Sequence, residues 1–94
     1  MGEAPRIVHV EPVGQAEVFV RFENGAEKIY DCRLLFGRPG FNLLANAAFF
    51  RTVQVDPGGY GVSWSDEIDL SEYELWTRGI PAAKEPVRPE RRAE

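Results

Sequence analysis

The chain has 94 residues and a formal net charge of −4, which is enough length for one domain and too little for two. The residues before Ala82 carry seven basic and twelve acidic side chains, which argues against nonspecific binding to nucleic acid or to an anionic membrane surface. A single cysteine excludes an intramolecular disulfide and a metal site built from cysteines alone.

The first third of the chain is predicted to form three strands. Residues 6–13 are rich in β-branched side chains and include a proline, which is typical of a strand at the edge of a sheet. Glu17–Phe22 alternates between apolar and polar positions, as a strand with one buried face does. Asn24 followed by Gly25 favours a tight turn with positive φ, so Glu17–Phe22 and Glu27–Asp31 are predicted to form a hairpin.

The middle of the chain is predicted to contain two short helical pieces and then a second hairpin. Asp31 is a candidate N-cap for a helix over residues 33–36, and a second helical piece covers residues 41–48. Two glycines and a proline separate these pieces. Residues 50–55 and 60–64 then alternate as strands around an Asp-Pro-Gly-Gly turn.

The last predicted element is a capped helix. Residues 66–70 are interpreted as an acidic connection, after which Ser71 and Glu74 have the spacing of a capping box. About two helical turns follow, and Gly79 is expected to end them in left-handed geometry. Residues 82–94 are rich in proline, arginine and glutamate, and we expect this tail to be disordered.

These elements predict a single α+β domain over residues 1–81. The expected architecture is one antiparallel sheet of about five strands, in the order β-β-β-α-β-β-α, with the helices packed on one face. The polar start of the chain and the lack of a long apolar run predict a cytoplasmic protein without a membrane helix.

Four stretches of the chain carry a family resemblance: IVHVEPV, VFVRFENGAEKIYD, FNLLANAAFFRTVQVDPGGYGVSW and IDLSEYELWTRG. Their combination, over roughly residues 7–79, resembles the DUF2442 family, small bacterial proteins of unknown function. The resemblance implies the same α+β fold and adds an antitoxin-like partner as an alternative. It implies little about activity and supplies no catalytic residues that could be assigned to this chain.

The side chains that could carry catalysis do not form a recognisable site in the sequence. His9 is the only histidine and lies within a predicted strand. Cys32 begins a helical piece, where a thiol pKa can fall, but cysteine is also commonly a small buried side chain. None of the serines lies in the setting of an activated nucleophile. We therefore predict no catalytic residues and no cofactor.

The densest acidic cluster is better explained by the helix than by a metal ion. Carboxylates before and within the first helical turn stabilise the positive end of the helix. Their spacing does not match a calcium-binding loop, so no metal site is predicted. The cluster comprises Asp66, Glu67, Asp69, Glu72 and Glu74.

The aromatic residues divide into two groups. The first group is expected to fill the core: Phe22, Phe41, Phe49, Phe50 and Trp64. Tyr60, Tyr73 and Trp76 are expected to be partly exposed and form the candidate interaction surface, because exposed tyrosine and tryptophan favour protein contacts. The leading hypothesis is a noncatalytic module that binds a protein partner or itself, with the strand at residues 7–13 as a further pairing edge.

Two alternatives stay open. A nucleic-acid-linked regulator would use the arginines of the tail, Arg88, Arg91 and Arg92. A small-ligand binding protein or an enzyme would need a pocket in which polar groups such as His9, Asp31 or Asp69 converge.

Overall fold

The structure is a computed structural model that describes residues 4–82. It is an α+β fold with two antiparallel sheets, of four and three strands. The strands are β1 (Ile7–Val13), β2 (Glu17–Phe22), β3 (Glu27–Asp31), β4 (Gln54–Val55), β5 (Gly61–Ser65), β6 (Ile68–Ser71) and β7 (Ile80–Pro81). The α-helices are α1 (Ala47–Phe50) and α2 (Glu72–Arg78), and short 3-10 helices cover Cys32–Leu35, Phe41–Ala45 and Pro57–Gly59.

The first sheet has the strand order β1-β2-β3-β7, and its centre is the predicted hairpin. On β2 the side chains of Val18, Val20 and Phe22 are buried, whereas that of Arg21 is exposed. The predicted alternation, with one face of this strand buried, is therefore confirmed. Gly25 adopts a φ of 91°, as the turn requires. The strand β1 lies at the edge of this sheet, as its composition predicted.

The second sheet, in the order β4-β5-β6, corrects the prediction of a single sheet of about five strands. Its third strand, β6, forms within the segment interpreted as an acidic connection. Ile68 and Leu70 are buried there and Asp69 and Ser71 are exposed, which is the period of a strand. The separate β7 was also not predicted; its Ile80 pairs with Ile29 of β3.

The strand predicted at residues 50–55 begins later than expected. Asn46 caps α1, its side chain accepting a hydrogen bond from the backbone N–H of Phe49, so Phe50 ends a helical turn instead of beginning a strand. Asp31 caps the first 3-10 helix as predicted, through the backbone N–H of Arg33. The two pieces predicted as helices are therefore mainly 3-10 turns, which is typical of short connecting segments.

Both sheets and the short helices contribute to one hydrophobic core. Leu44 and Leu75 are fully buried in it, and Phe41 and Phe49 lie half-buried at its margin. The predicted tail lies outside the described residues from position 83 onward. The core contains Ile7, Val18, Val20, Phe22, Tyr30, Cys32, Leu35, Leu44, Phe50, Val53, Val62, Trp64, Ile68, Leu70 and Leu75.

The helix α2 begins with half of the predicted capping box. The Ser71 hydroxyl accepts a hydrogen bond from the backbone N–H of Glu74, at 3.1 Å. The Glu74 carboxylate instead accepts a hydrogen bond from the buried Tyr30 hydroxyl, at 2.7 Å. The left-handed ending was wrong, because Gly79 has a φ of −73°. A side chain there would meet the Leu75 carbonyl oxygen 2.6 Å away, so the position needs glycine for space.

Replacing Ser71 by alanine is expected to lower the free energy of unfolding by about 1 kcal/mol, because the N–H of Glu74 loses its acceptor. Ser71→Asp keeps a capping oxygen and should retain most of the stability. Chemical denaturation of the two variants beside the unsubstituted chain measures both effects. An equal loss in both variants would contradict the capping role.

Candidate interaction surfaces

His9 and Cys32 do not form a catalytic pair. Val13 pairs with Glu17 and Glu17 with Asp31, so Cys32 lies beyond the Val13 end of the first sheet. His9 lies four residues before Val13, about 13 Å back along β1 at the usual rise per residue. Cys32 is also fully buried, and this burial raises the pKa of its thiol to about 12. The thiol is therefore protonated and unreactive near neutral pH.

The acidic side chains do not converge on a metal site. Among residues 4–82, no group of three or more histidine, cysteine and carboxylate side chains is placed to hold a metal ion. Asp31 and Asp69 lie on strands of different sheets, and Asp31 is engaged by the neighbouring Arg33. Hydrogen bonds from the Arg33 guanidinium and backbone hold the pKa of Asp31 below its usual range.

Tyr60 presents an exposed and fixed aromatic ring. Its side chain is 54% exposed. The Arg6 guanidinium carbon lies 4.1 Å from the centre of the ring, in cation–π geometry. The same guanidinium donates a long hydrogen bond to the Gly58 carbonyl, at 3.5 Å. The ring is thus held by contacts on the protein side while much of its surface faces solvent.

The backbone segment that carries Tyr73 is hydrogen-bonded to the backbone of Tyr60. The N–H of Glu72, the residue before Tyr73, donates a 2.8 Å hydrogen bond to the Tyr60 carbonyl. The Tyr73 side chain is 61% exposed. Among residues 4–82, neither tyrosine hydroxyl has a side-chain hydrogen bond within the protein. We call Arg6, Tyr60 and Tyr73 the tyrosine surface.

Trp76, the third predicted surface residue, is half-buried against the core. Its ring packs edge-to-face on Phe22, with the ring centres 5.0 Å apart. The Lys28 ammonium lies 4.0 Å from the ring centre and donates a hydrogen bond to the Trp76 carbonyl. Trp76 therefore anchors α2, the helix that carries Tyr73, to the first sheet.

A second candidate surface is an open groove of about 440 Å³ at the other end of β1. The end of β1 and the start of β2 meet at Val13 and Glu17, far along the strand from Arg6. Phe36 contributes an apolar wall to the groove, and Arg33 and Glu17 contribute charges. We call this feature the groove, and it is lined by Gln15, Ala16, Glu17, Arg33, Phe36 and Ala45.

The segment that forms one wall of the groove exposes further apolar side chains. Leu34 is 63% exposed and Leu43 is 50% exposed, although both lie among short helices that bury their neighbours. Large exposed aliphatic side chains are a common feature of protein-binding surfaces. The groove was not predicted from the sequence. The available signal was the density of leucine and phenylalanine in a segment repeatedly broken by glycine, proline and asparagine.

Together the fold and these surfaces define a class of protein, a small α+β domain that presents two exposed surfaces and, within residues 4–82, no assembled metal site. The chain belongs to the DUF2442 family, described as a protein of unknown function, whose family model matches residues 7–81. No curated protein and no solved structure matches the chain. Within the described residues, no helix has both the length and the hydrophobicity that crossing a membrane requires.

Proposed function

We propose that this protein is a noncatalytic interaction module that binds a protein partner, or a second copy of itself, through the tyrosine surface. The observation that carries the proposal is the exposure of Tyr60 and Tyr73. Tyrosine gives a large contact area and one polar group while losing little conformational entropy, because it has only two side-chain torsions. Such residues are enriched at the energetic centres of protein interfaces.

The contacts that support the Tyr60 ring and the helix carrying Tyr73 strengthen the proposal. Arg6 packs on Tyr60, and the Glu72–Tyr60 backbone hydrogen bond joins β5 to the start of α2. Trp76 and the Tyr30–Glu74 hydrogen bond fix α2 on the first sheet. A surface that is ordered before binding loses less entropy on association.

The edge strand β1 is a weaker candidate for pairing with another chain. Its register shifts between Ile7 and His9, so the ladder is irregular near Val8. Pro12 cannot donate a backbone hydrogen bond. The turn at Gly59 also packs on Ile7 at the start of this strand. Bulges, prolines and covered ends are features that discourage edge pairing, so we assign binding to the tyrosine surface.

Site-specific photo-crosslinking tests the proposed function. A benzophenone-bearing amino acid placed at position 60 or at position 73 of the full chain is expected to capture the same discrete species in its native cells. That species is a dimer of the chain or a complex with one other protein. Gel mobility and mass spectrometry identify it.

The control places the same crosslinker at Ile80, which is 64% exposed on β7 at the opposite edge of the first sheet from β1. Position 80 should give little of the captured species. In addition, Tyr60→Ala and Tyr73→Ala should each weaken the complex by about 30-fold or more, because truncating a residue at an interface centre costs about 2 kcal/mol or more. Equal capture from all three positions, or no capture from positions 60 and 73, would refute the tyrosine surface.

A further inference from the structure

We propose that the groove binds a basic, otherwise aliphatic segment of a partner protein, with a lysine or arginine side chain directed at Glu17. This inference goes beyond the tyrosine surface and does not rest on it. Arg6 precedes the first residue of β1, whereas the groove adjoins the turn that follows its last residue. The two surfaces can therefore be tested separately.

The charges around the groove favour a cation. Arg33 is the positive group of the lining, but its Nε and Nη2 atoms donate to the two oxygens of Asp31, at 3.0 and 3.1 Å. That pair is internally neutral. Glu17 faces Asp31 across the strand pair, and it forms no salt bridge among residues 4–82. Arg33 also interacts electrostatically with Glu17, but the charges of Asp31, Arg33 and Glu17 together still sum to one negative charge, which a lysine or arginine side chain would neutralise.

The apolar part of the lining favours a long aliphatic arm beside that cation. Phe36 is half-buried and forms a wall of the groove with Ala16 and Ala45. Lysine and arginine side chains place methylene groups on such walls while keeping the charged end near water and carboxylates. A short anion or a purely apolar ligand would leave one half of this lining without a matching group.

The surroundings favour a peptide segment over a free amine. The exposed Leu34 and Leu43 lie on the helices that wall the groove, so residues adjoining the basic side chain would find apolar contacts outside it. A free diamine would use the groove alone. The volume of about 440 Å³ accommodates more than one side chain and lies within the usual range of ligand sites, roughly 300–1,000 Å³.

Titration of the full ¹⁵N-labelled chain with a capped hexapeptide of alternating leucine and lysine tests this inference by NMR. We expect saturable shifts concentrated at Ala16, Glu17, Arg33, Phe36 and Ala45. A hexapeptide of alternating leucine and glutamate should leave these resonances in place. Glu17→Gln should weaken binding of the leucine–lysine peptide roughly two- to fivefold, the upper part of the range for loss of one exposed ion pair.

Glu67→Gln is the matched control, because it removes the same charge from an exposed turn in the second sheet. It should leave the affinity unchanged. Equal weakening by both variants would show attraction to net charge only and overturn the proposal. Absence of shifts at the groove would also overturn it, and so would equally tight binding of 1,5-diaminopentane, since no peptide would then be needed. None of these outcomes depends on crosslinking from Tyr60 or Tyr73.

Discussion

Replacing Gly59 by alanine is expected to destabilise the protein by about 3 kcal/mol, which is a large part of the stability of a small domain. Two costs add at this position. Gly59 has a φ of +79°, which costs a residue with a Cβ about 1–2 kcal/mol. The new Cβ would also lie 2.5 Å from the Ile7 carbonyl oxygen and 3.0 Å from the Ile7 nitrogen. Backbone atoms cannot move aside as a flexible side chain can, so the start of β1 must shift.

Three other glycines separate these two costs in the same chain. Gly25 has a φ of +91° and open space around it, so Gly25→Ala should cost only about 1–2 kcal/mol. Gly61 lacks the positive φ but its Cβ would meet the Leu70 carbonyl oxygen, so Gly61→Ala reports the contact cost alone. Gly37 has neither feature and should be nearly neutral. Denaturant unfolding of the four variants measures the set. A Gly59→Ala loss no larger than that of Gly25→Ala would contradict packing of this turn on β1.

The turn at Gly59 also connects stability to the tyrosine surface. Arg6 immediately precedes Ile7, and its guanidinium lies over the Tyr60 ring. A shift of β1 that relieves the Gly59→Ala contact therefore also moves the cation that fixes Tyr60. We consequently regard the glycine pair Gly58 and Gly59 as part of the support of that surface, although neither offers a side chain for binding.

The elements that could be predicted from the sequence are those determined by neighbouring residues. The hairpin around Asn24 and Gly25 depends on a local backbone conformation and on alternation in the adjacent strand, and it was confirmed. The caps provided by Asp31 and Ser71 likewise act over two or three residues, and both were confirmed. Such signals are complete within a short window of sequence.

The division into two sheets could not be predicted from short stretches of sequence, because it depends on which strands, distant along the chain, pair with each other. Residues 66–70 were interpreted as an acidic connection that leads into the capped helix. The alternation of Ile68 and Leu70 nevertheless has the period of a strand. Glu74 shows the same limitation. Its spacing from Ser71 predicted a reciprocal cap, but the Glu74 carboxylate instead accepts a hydrogen bond from the buried hydroxyl of Tyr30, 44 positions away. The residues around Glu74 in the sequence do not indicate a hydrogen-bond partner that lies so far away along the chain.

The candidate surfaces were predicted unequally for the same reason. The exposure of Tyr73 follows from its place in the first turn of the predicted helix. Tyr60 was instead predicted to begin a strand, whereas β5 begins one residue later, at Gly61. The half-buried position of Trp76 depends on Lys28 and Phe22 from the first sheet. The groove depends on the meeting of the β1–β2 turn with Phe36 and Ala45, and only the assembled chain reveals it.

Raising the pH above about 9 is expected to destabilise the fold steeply, because two buried groups ionise in the unfolded chain before they ionise in the folded protein. Burial raises the pKa of the Cys32 thiol from 9.0 to about 12. Burial and the hydrogen bond to Glu74 raise the pKa of the Tyr30 hydroxyl above its ordinary 10.0. Both groups therefore contribute stability that is fully present below their unfolded pKa values and is lost as the pH rises toward the folded ones.

The expected loss has two stages. Between pH 9 and pH 10 most of the loss comes from Cys32, and the slope of the free energy of unfolding should approach about 1.4 kcal/mol per pH unit. Above pH 10 Tyr30 adds a similar slope, so the accumulated loss reaches about 4 kcal/mol near pH 11. Urea unfolding at half-unit intervals of pH measures the slopes.

Two variants assign each stage to its residue. Cys32→Ala should abolish the slope that begins near pH 9, and Tyr30→Phe should abolish the added slope above pH 10, whatever either change does to stability at neutral pH. Tyr73→Phe is the matched control, because it removes the hydroxyl of an exposed tyrosine side chain. If the Cys32→Ala profile kept the full slope, the thiol would have to reach solvent in the folded chain. The full burial of Cys32 at the start of the first 3-10 helix would then be wrong.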